Sequence, residues 1–395
     1  MNKLNCVNAT NGLRVYNDGT AMLCCMSMEN LTTCDGKKAI VKTDSISSIL
    51  NGKKAIEIKS ALANGEKHFN CKRCWDEEDA GLMSKRIRDN QEYLIKESDH
   101  SLAMVELNLG TTCNLKCRIC GPWSSSQWNK EFLEIKQWKG EESDYKKWLF
   151  ELNHSYDDDS LFWSELKKNL HTIKKIEIYG GEPMLVKKQW ELLQYAIDQG
   201  YSQRQKLHFN TNGTQFDWEK VNIMREFKDV SISISVDGLG KQFEYQRHPA
   251  VWSEVSDNID RFKFLAEKYF WNLTICTTVN NHNIFYLDEV LSFFDRKKIS
   301  IYLNFLHDPP RYNVKNLHED IKAIVTDKYK CAPEVPFVRM WLKKATEYMN
   351  SGTCNLEHWN SFIEKTRDLD RIRSENFEKT FPEYSQLITR TNKEI

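Results

Sequence analysis

The sequence predicts an α/β fold, a partial (β/α)6 barrel of TIM type over 99–308, preceded by a cysteine-rich domain over 1–98 and followed by a helical extension over 309–395. Three observations predict it. Six strand-like runs, at 104–109, 173–179, 206–211, 230–236, 272–279 and 299–305, alternate with helix-length stretches. That order builds a parallel sheet with right-handed crossovers. The runs also alternate polar and apolar side chains, whereas a parallel sheet packed on both faces reads as nearly continuous apolar sequence. Finally, nine of the twelve cysteines fall before residue 121, too uneven a distribution for ordinary core use.

A chain of 395 residues has room for one large domain with a smaller one appended, or for two to three domains. Lys+Arg and Asp+Glu both count 56, so the formal charge is zero and no global nucleic-acid or anionic-membrane surface is expected. The start, Met1-Asn2-Lys3-Leu4-Asn5-Cys6, lacks the apolar core of a signal peptide, and no run is apolar enough to span a bilayer. A cytoplasmic location without membrane contact is the expectation. In a long chain of that kind, clustered cysteines point to metal rather than disulfides.

In the first domain, the run from Leu13 to Cys25 reads as two short strands joined at Asn17-Asp18-Gly19, whose Gly accepts positive φ. This hairpin delivers Cys24 and Cys25 at its exit. A helical stretch over 45–63 follows, then Cys71-Lys72-Arg73-Cys74, whose two-residue gap lets both sulfurs face one metal. Four such thiols serve a zinc knuckle as well as an iron-sulfur cluster.

In the barrel region the polar face carries Glu106 and Asn108, then His208, Asn210 and Asn212, then Ser231, Ser233, Ser235 and Asp237, and last Tyr302 and Asn304. With helices over the apolar face, these groups line a lumen whose chemistry belongs near the strand C-termini. There the first strand runs into Thr111-Thr112-Cys113-Asn114-Leu115-Lys116-Cys117-Arg118-Ile119-Cys120-Gly121-Pro122-Trp123. Three thiolates on one loop can hold three corners of an iron-sulfur cube and leave the fourth iron open. A zinc site from the same loop lacks a fourth ligand, since no His is near. After the second strand, Tyr179-Gly180-Gly181-Glu182-Pro183 lets backbone pass where a side chain would collide. His208 and Cys276 suit hydrogen-bonded and apolar structural roles. Trp123, Trp128 and Trp138 read as packing residues, and 139–160 as an exposed insertion.

Beyond Asp308-Pro309-Pro310, apolar spacing predicts helices over 317–328, 338–349 and 356–369, a cap over the open side of the barrel. Cys331 and Cys354 are too far apart in sequence to suggest a further metal site.

The cysteine spacing, the following helix and the later Gly180-Gly181-Glu182-Pro183 resemble the radical S-adenosylmethionine (radical SAM) superfamily. The resemblance implies that a 4Fe-4S cluster on Cys113, Cys117 and Cys120 binds SAM and cleaves it to methionine and a 5'-deoxyadenosyl radical. It places the methionine amino group at Gly180, Gly181 and Glu182, and further SAM contacts at Asn210, Ser233, Ser235, Asp237 and Arg247. For Arg247 a surface salt bridge is the alternative. Ile119 departs from the aromatic that many members carry near the adenine.

The hairpin with its distant Cys-x-x-Cys resembles the SPASM and twitch auxiliary-cluster domains of peptide-modifying members, although such domains more often follow the barrel. Glu78, Gly81, Ser84 and Arg86 fit the same group, as do Leu369-Asp370-Arg371 and Phe381-Pro382-Glu383. By this resemblance Cys6, Cys25, Cys71 and Cys74 ligate an auxiliary iron-sulfur cluster, with Cys24 open in place of Cys25 and Cys34 in place of Cys6. The implied activity is hydrogen abstraction for oxidative modification of a peptide, with flavodoxin or ferredoxin as electron donor. The alternatives are dehydrogenation of a small molecule such as a sugar or nucleoside, and a noncatalytic metal-binding scaffold.

Overall fold

The computed structural model describes residues 4–79, 81, 83–93, 101–137, 139–154, 156, 160–331, 335–382 and 384–386. Trp138, Glu383 and the expected boundary between 98 and 99 lie outside the described residues.

Among the described residues eight strands form one sheet: β1 (Gly12–Val15), β2 (Ala21–Met22), β3 (Met104–Asn108), β4 (Lys175–Tyr179), β5 (Lys206–Thr211), β6 (Asp229–Ser235), β7 (Asn272–Val279) and β8 (Ser300–Phe305). Their order is β2-β1-β3-β4-β5-β6-β7-β8, and among the described residues the two outer strands do not pair with each other. The six expected runs are β3 to β8. The hairpin is also present, but it joins this sheet. β2 pairs antiparallel with β1, while β1 runs parallel to β3 with Leu13 beside Val105 and Val15 beside Leu107. These four apolar side chains are buried, and their shared burial ties the hairpin to the sheet.

The chain divides into two compact units, one of Met1–Thr112, Ser143–Phe209 and Asp217–Ser231, the other of Cys113–Glu142, Asn210–Phe216 and Ile232–Ile395. In the first unit the expected helix over 45–63 is two helices, Ile46–Leu50 and Lys53–Ala63. Between them a Cβ at Gly52 would stand 1.7 Å from the Thr32 carbonyl oxygen, so only glycine permits that approach. The 139–160 insertion is not wholly exposed, because helix Glu142–Asn153 buries Tyr145 and Leu152.

Strand register builds a charged row in this unit. Arg14 lies beside Glu106, Glu106 beside Glu177, and Glu177 beside His208. Helix Lys85–Glu92, capped by the Ser84 hydroxyl, adds Lys85 and Asp89 one turn apart. The Lys85 ammonium reaches Glu106 at 3.3 Å, Glu177 at 3.2 Å and Asp89 at 3.3 Å. Arg14 meets Glu106 at 3.0 Å and Lys175 meets Glu177 at 2.5 Å. Arg14, Lys85 and Lys175 thus face three carboxylates, and the exposed Arg88 adds a 3.7 Å contact to Asp89. Burial disfavours charge on Glu177, but Lys85 and Lys175 outweigh it and hold the group well below the usual carboxylate range. Burial pushes His208 down to about 4, so it is neutral, with Nδ1 3.1 Å from the Ser231 hydroxyl.

In the second unit β7 and β8 pair in parallel, and helices Glu319–Lys330, Pro336–Asn350 and Leu356–Arg373 follow. The last runs one turn past its expected end and stops at Ser374, at φ 53. Among the described residues no helix is long and apolar enough to cross a membrane.

Candidate functional site

The three cysteines of the central motif occupy the loop that leaves β3. This loop is held by its own polar residues. Asn212 donates from Nδ2 to Asn114 Oδ1 at 3.0 Å and stands 4.0 Å from Cys113 Sγ. Asn114 donates in turn to the Thr214 hydroxyl at 2.8 Å, and that hydroxyl donates to Asn212 Oδ1 at 2.7 Å. Further along, the Lys116 and Arg118 amides donate to the His248 and Gln246 carbonyls at 2.8 and 2.9 Å. The Trp128 indole N–H donates to the Cys117 carbonyl at 3.1 Å.

The thiols sense one another. Burial pushes Cys120 up to about 12, and Cys117 and Cys113 add to the effect. Cys117 is raised by burial while the charges of Arg247 and Arg373 oppose it. Cys117 and Cys120, which burial keeps protonated, together with Cys113 are a fitting donor set for an iron-sulfur cluster, whose binding would expel the thiol protons. Among the described residues no three His, Cys, Asp or Glu side chains close on a point tightly enough to enclose a single ion.

Asp237 and Arg247 form a buried ion pair of 2.7 Å, with side chains 1 % and 9 % exposed, so the surface salt bridge considered for Arg247 does not occur. The other Asp237 carboxylate oxygen accepts the Thr278 amide at 2.9 Å. Arg247 Nε is buried and has no hydrogen-bond partner among the described residues. Ser233 is buried, and the half-buried Ser235 lies 3.5 Å from Asn210 Oδ1.

In the first unit the glycine motif leaves β4 with Gly180 at φ 77 and Gly181 at φ 34. A Cβ at Gly181 would stand 2.2 Å from the Thr112 carbonyl oxygen, and one at Gly180 would stand 1.5 Å from Asn108 Oδ1. That close approach lets the Glu182 amide donate to the Thr112 carbonyl at 2.8 Å, which fixes the motif against the residue preceding Cys113. Glu182 is fully buried, and its carboxylate accepts the Met184 amide at 3.0 Å.

The same unit holds a second group of thiols. Cys6, Cys24, Cys71 and Cys74 line one cavity with Ser27, Asn70 and Arg86. Burial pushes Cys6 up to about 12, and the nearby Cys71 and Cys74 contribute. Arg86 is fixed by Glu78, at 2.9 Å from Nε and 2.6 Å from Nη2, and the Ser84 hydroxyl donates to the same carboxylate at 2.6 Å. Cys25 is not among the lining residues. Its thiol, raised by burial, feels Glu106 and Lys85 of the charged row, as Cys24 does, but it is Cys24 that also feels Cys6. Cys34 is exposed, with its sulfur 3.5 Å from the Asn51 carbonyl.

Residues 107–294 match the profile of the family described as Radical SAM superfamily. The chain thus carries a radical SAM domain over these residues. No curated protein matches it. Among solved structures it is similar to anSMEcpe with bound AdoMet, at 17% identity and TM-score 0.37, over 57% of this chain and 58% of that one. It is similar to Streptococcus suis SuiB bound to S-adenosylmethionine, at 14% identity and TM-score 0.34, over 71% of this chain and 60% of that one. SuiB bound to the precursor peptide SuiA gives 14% identity and TM-score 0.33, over 70% and 60%. The chain spans about three-fifths of the length of these proteins, and the family profile carries the assignment.

Sequence reasoning placed Asn212 on the polar face without connecting it to Cys113, and it did not single out Asn114 or Thr214. The Asn210-Thr211-Asn212-Gly213 turn was the available signal, because Asn and Thr side chains at a strand exit bond readily to nearby loops. It also missed Glu131 and Arg373, which meet across more than 240 positions with no local sign.

Proposed function

We propose that Cys113, Cys117 and Cys120 hold a 4Fe-4S cluster with one open iron for SAM, and that the enzyme removes a hydrogen atom from a peptide, which is thereby oxidised. The observation that carries this reading is the family match over 107–294, within which the cysteine loop leaves β3 and the glycine motif leaves β4. The bound cluster would supply the electron that splits SAM into methionine and a 5'-deoxyadenosyl radical. The chain's own part is placement. Asn212 and Asn114 steady the loop at Cys113, the flat turn at Gly180 and Gly181 leaves backbone room for the methionine end, and Arg247 offers an unused Nε in a buried setting. Asn210, Ser233, Ser235 and Asp237 complete the polar contacts to SAM.

We assign the second cavity to an auxiliary iron-sulfur cluster on Cys6, Cys24, Cys71 and Cys74. Cys24 replaces Cys25 in this set because it lines the cavity. Four thiolates would occupy every corner of such a cluster, which favours electron acceptance over direct binding of substrate. A peptide substrate follows from the likeness of this segment to the twitch group, and a low-potential flavodoxin or ferredoxin suits the reduction.

The test is anaerobic reconstitution, then SAM and dithionite, with 5'-deoxyadenosine quantified beside the Cys113→Ala, Cys117→Ala, Cys120→Ala variant. Wild type should form the product and the variant should fall to the enzyme-free background; equal yields would defeat the reading. In the same preparations Cys24→Ser should lose about four irons per chain, whereas Cys25→Ser should keep its full content. The reverse pattern would return Cys25 to the ligand set. Candidate peptides and small metabolites supplied in parallel identify which becomes oxidised.

A further inference from the structure

The phrase Leu369-Asp370-Arg371 near the C-terminus has no part in the function described so far. It belongs to a helix that fastens the cysteine loop. Arg118, between Cys117 and Cys120, is 1 % exposed and donates to Asp370 at 2.5 Å and to Glu375 at 2.6 Å. Asp370 also accepts the Tyr245 hydroxyl at 2.7 Å and the Phe377 amide at 2.7 Å. On the same helix Leu369 packs with Trp128 and Ile135, and Cys120 lies against that group.

One turn further along, Arg373 brings a cation into the same place. Its side chain is fully buried, and its Nε and Nη2 donate to Glu131 at 3.0 and 2.8 Å. The guanidinium lies 4.8 Å from the Trp128 ring, whose N–H holds the Cys117 carbonyl. Its Nη1 is buried and has no hydrogen-bond partner among the described residues. A buried donor left unpaired costs roughly 1–3 kcal/mol, so a native structure normally supplies an acceptor. The sulfurs of a cluster on Cys113, Cys117 and Cys120 are acceptors in that neighbourhood.

We propose that Arg373 is a tuning residue for the SAM-binding cluster: its free Nη1 donates to cluster sulfur and its buried charge raises the cluster's reduction potential. The inference rests on the 4Fe-4S reading of the three cysteines. Charge and hydrogen bonds to sulfur are two of the levers that set such potentials. The C-terminal helix thereby takes part in the redox chemistry, with Asp370 and Glu375 holding it in register through Arg118.

The test is potentiometric titration of the reconstituted full chain, followed by electron paramagnetic resonance, for wild type, Arg373→Gln, Arg373→Lys and Arg371→Gln. A triple variant, Cys6→Ala, Cys71→Ala, Cys74→Ala, serves as background so that only the SAM cluster reports. Arg373→Gln should lower the reduced-to-oxidised ratio about tenfold at fixed poise, about 59 mV for one electron. Arg373→Lys should recover most of the shift. Arg371 is exposed on the same helix, and its loss should leave the potential unchanged. If Arg373→Gln loads poorly, Glu131→Gln reads the same charge with the opposite sign, a shift to higher potential. A loaded Arg373→Gln or Glu131→Gln protein at the wild-type potential overturns the inference. Failure of the parent to bind a cluster would instead overturn the 4Fe-4S reading.

Discussion

Gly181→Ala should slow 5'-deoxyadenosine formation by about two orders of magnitude. Two effects combine at this position. The φ of 34 is one that side chains rarely adopt, and the new Cβ would lie 2.2 Å from the Thr112 carbonyl oxygen. Backbone cannot yield as the tip of a flexible side chain can. The Thr112 segment or the glycine turn must move, and the 2.8 Å hydrogen bond from the Glu182 amide to Thr112 moves with it. Cys113 is the next residue along the chain. A displacement near 1 Å at a reacting centre can cost a hundredfold in rate. Gly200→Ala is the comparison, because Gly200 has φ 70 with nothing within 4 Å of its added Cβ. It pays only the conformational penalty, about 1 kcal/mol of stability. SAM affinity and product rate measured side by side decide the matter, and a Gly181→Ala rate within threefold of wild type would refute the argument.

Lys85→Met should lower the unfolding free energy by about 3–5 kcal/mol. The ammonium is 7 % exposed and serves Glu106, Glu177 and Asp89 together, whose side chains are 5 %, 6 % and 0 % exposed. Removing it leaves three buried carboxylates balanced by Arg14, Lys175 and the exposed Arg88, which lies 3.7 Å from Asp89. Lys206→Met, which breaks the half-exposed pairs with Glu92 and Asp229, should cost less than about 1 kcal/mol. Urea denaturation of the three proteins gives the comparison, and equal losses for Lys85 and Lys206 would contradict the buried network. Acid probes the same row. His208 titrates near 4 in the fold against 6.5 when exposed, so the unfolded chain binds the extra proton first and stability falls as pH drops from about 6.5 toward 4. Glu177 adds to the loss at lower pH, since its depressed value contributes stability above the ordinary carboxylate range that disappears as the group is protonated.

The parts of this molecule that a reader of the sequence can recover are those fixed by local pattern. The runs that became β3 to β8 announce themselves by alternation, and Cys113, Cys117 and Cys120 by a spacing within eight positions. The parts that escape depend on distant pairing. Nothing near Gly12 states that it will lie beside Met104. Cys24 and Cys25 are neighbours in sequence at the exit of a strand, where successive side chains diverge. Which of them faces Cys6 is decided by how the hairpin seats on the sheet. Helix Leu356–Arg373 outran its expected end because Arg373 finds Glu131, a partner that no apolar periodicity reveals.

The parallel pairing of β1 with β3 bears on how such an enzyme can be taken apart or recombined. In a modular protein a metal-binding segment hangs from the catalytic body by a linker and can be exchanged for another. Here the first strand of the hairpin that delivers Cys24 belongs to the same sheet as the barrel strands, hydrogen-bonded along Met104–Leu107. Cutting the chain ahead of β3 would strip that neighbour away and leave a row of backbone donors and acceptors open to chance pairing. The cysteine-rich beginning and the barrel are therefore one inheritance: a change that reshapes the thiol cavity is felt at the edge of the sheet, and the two must vary together.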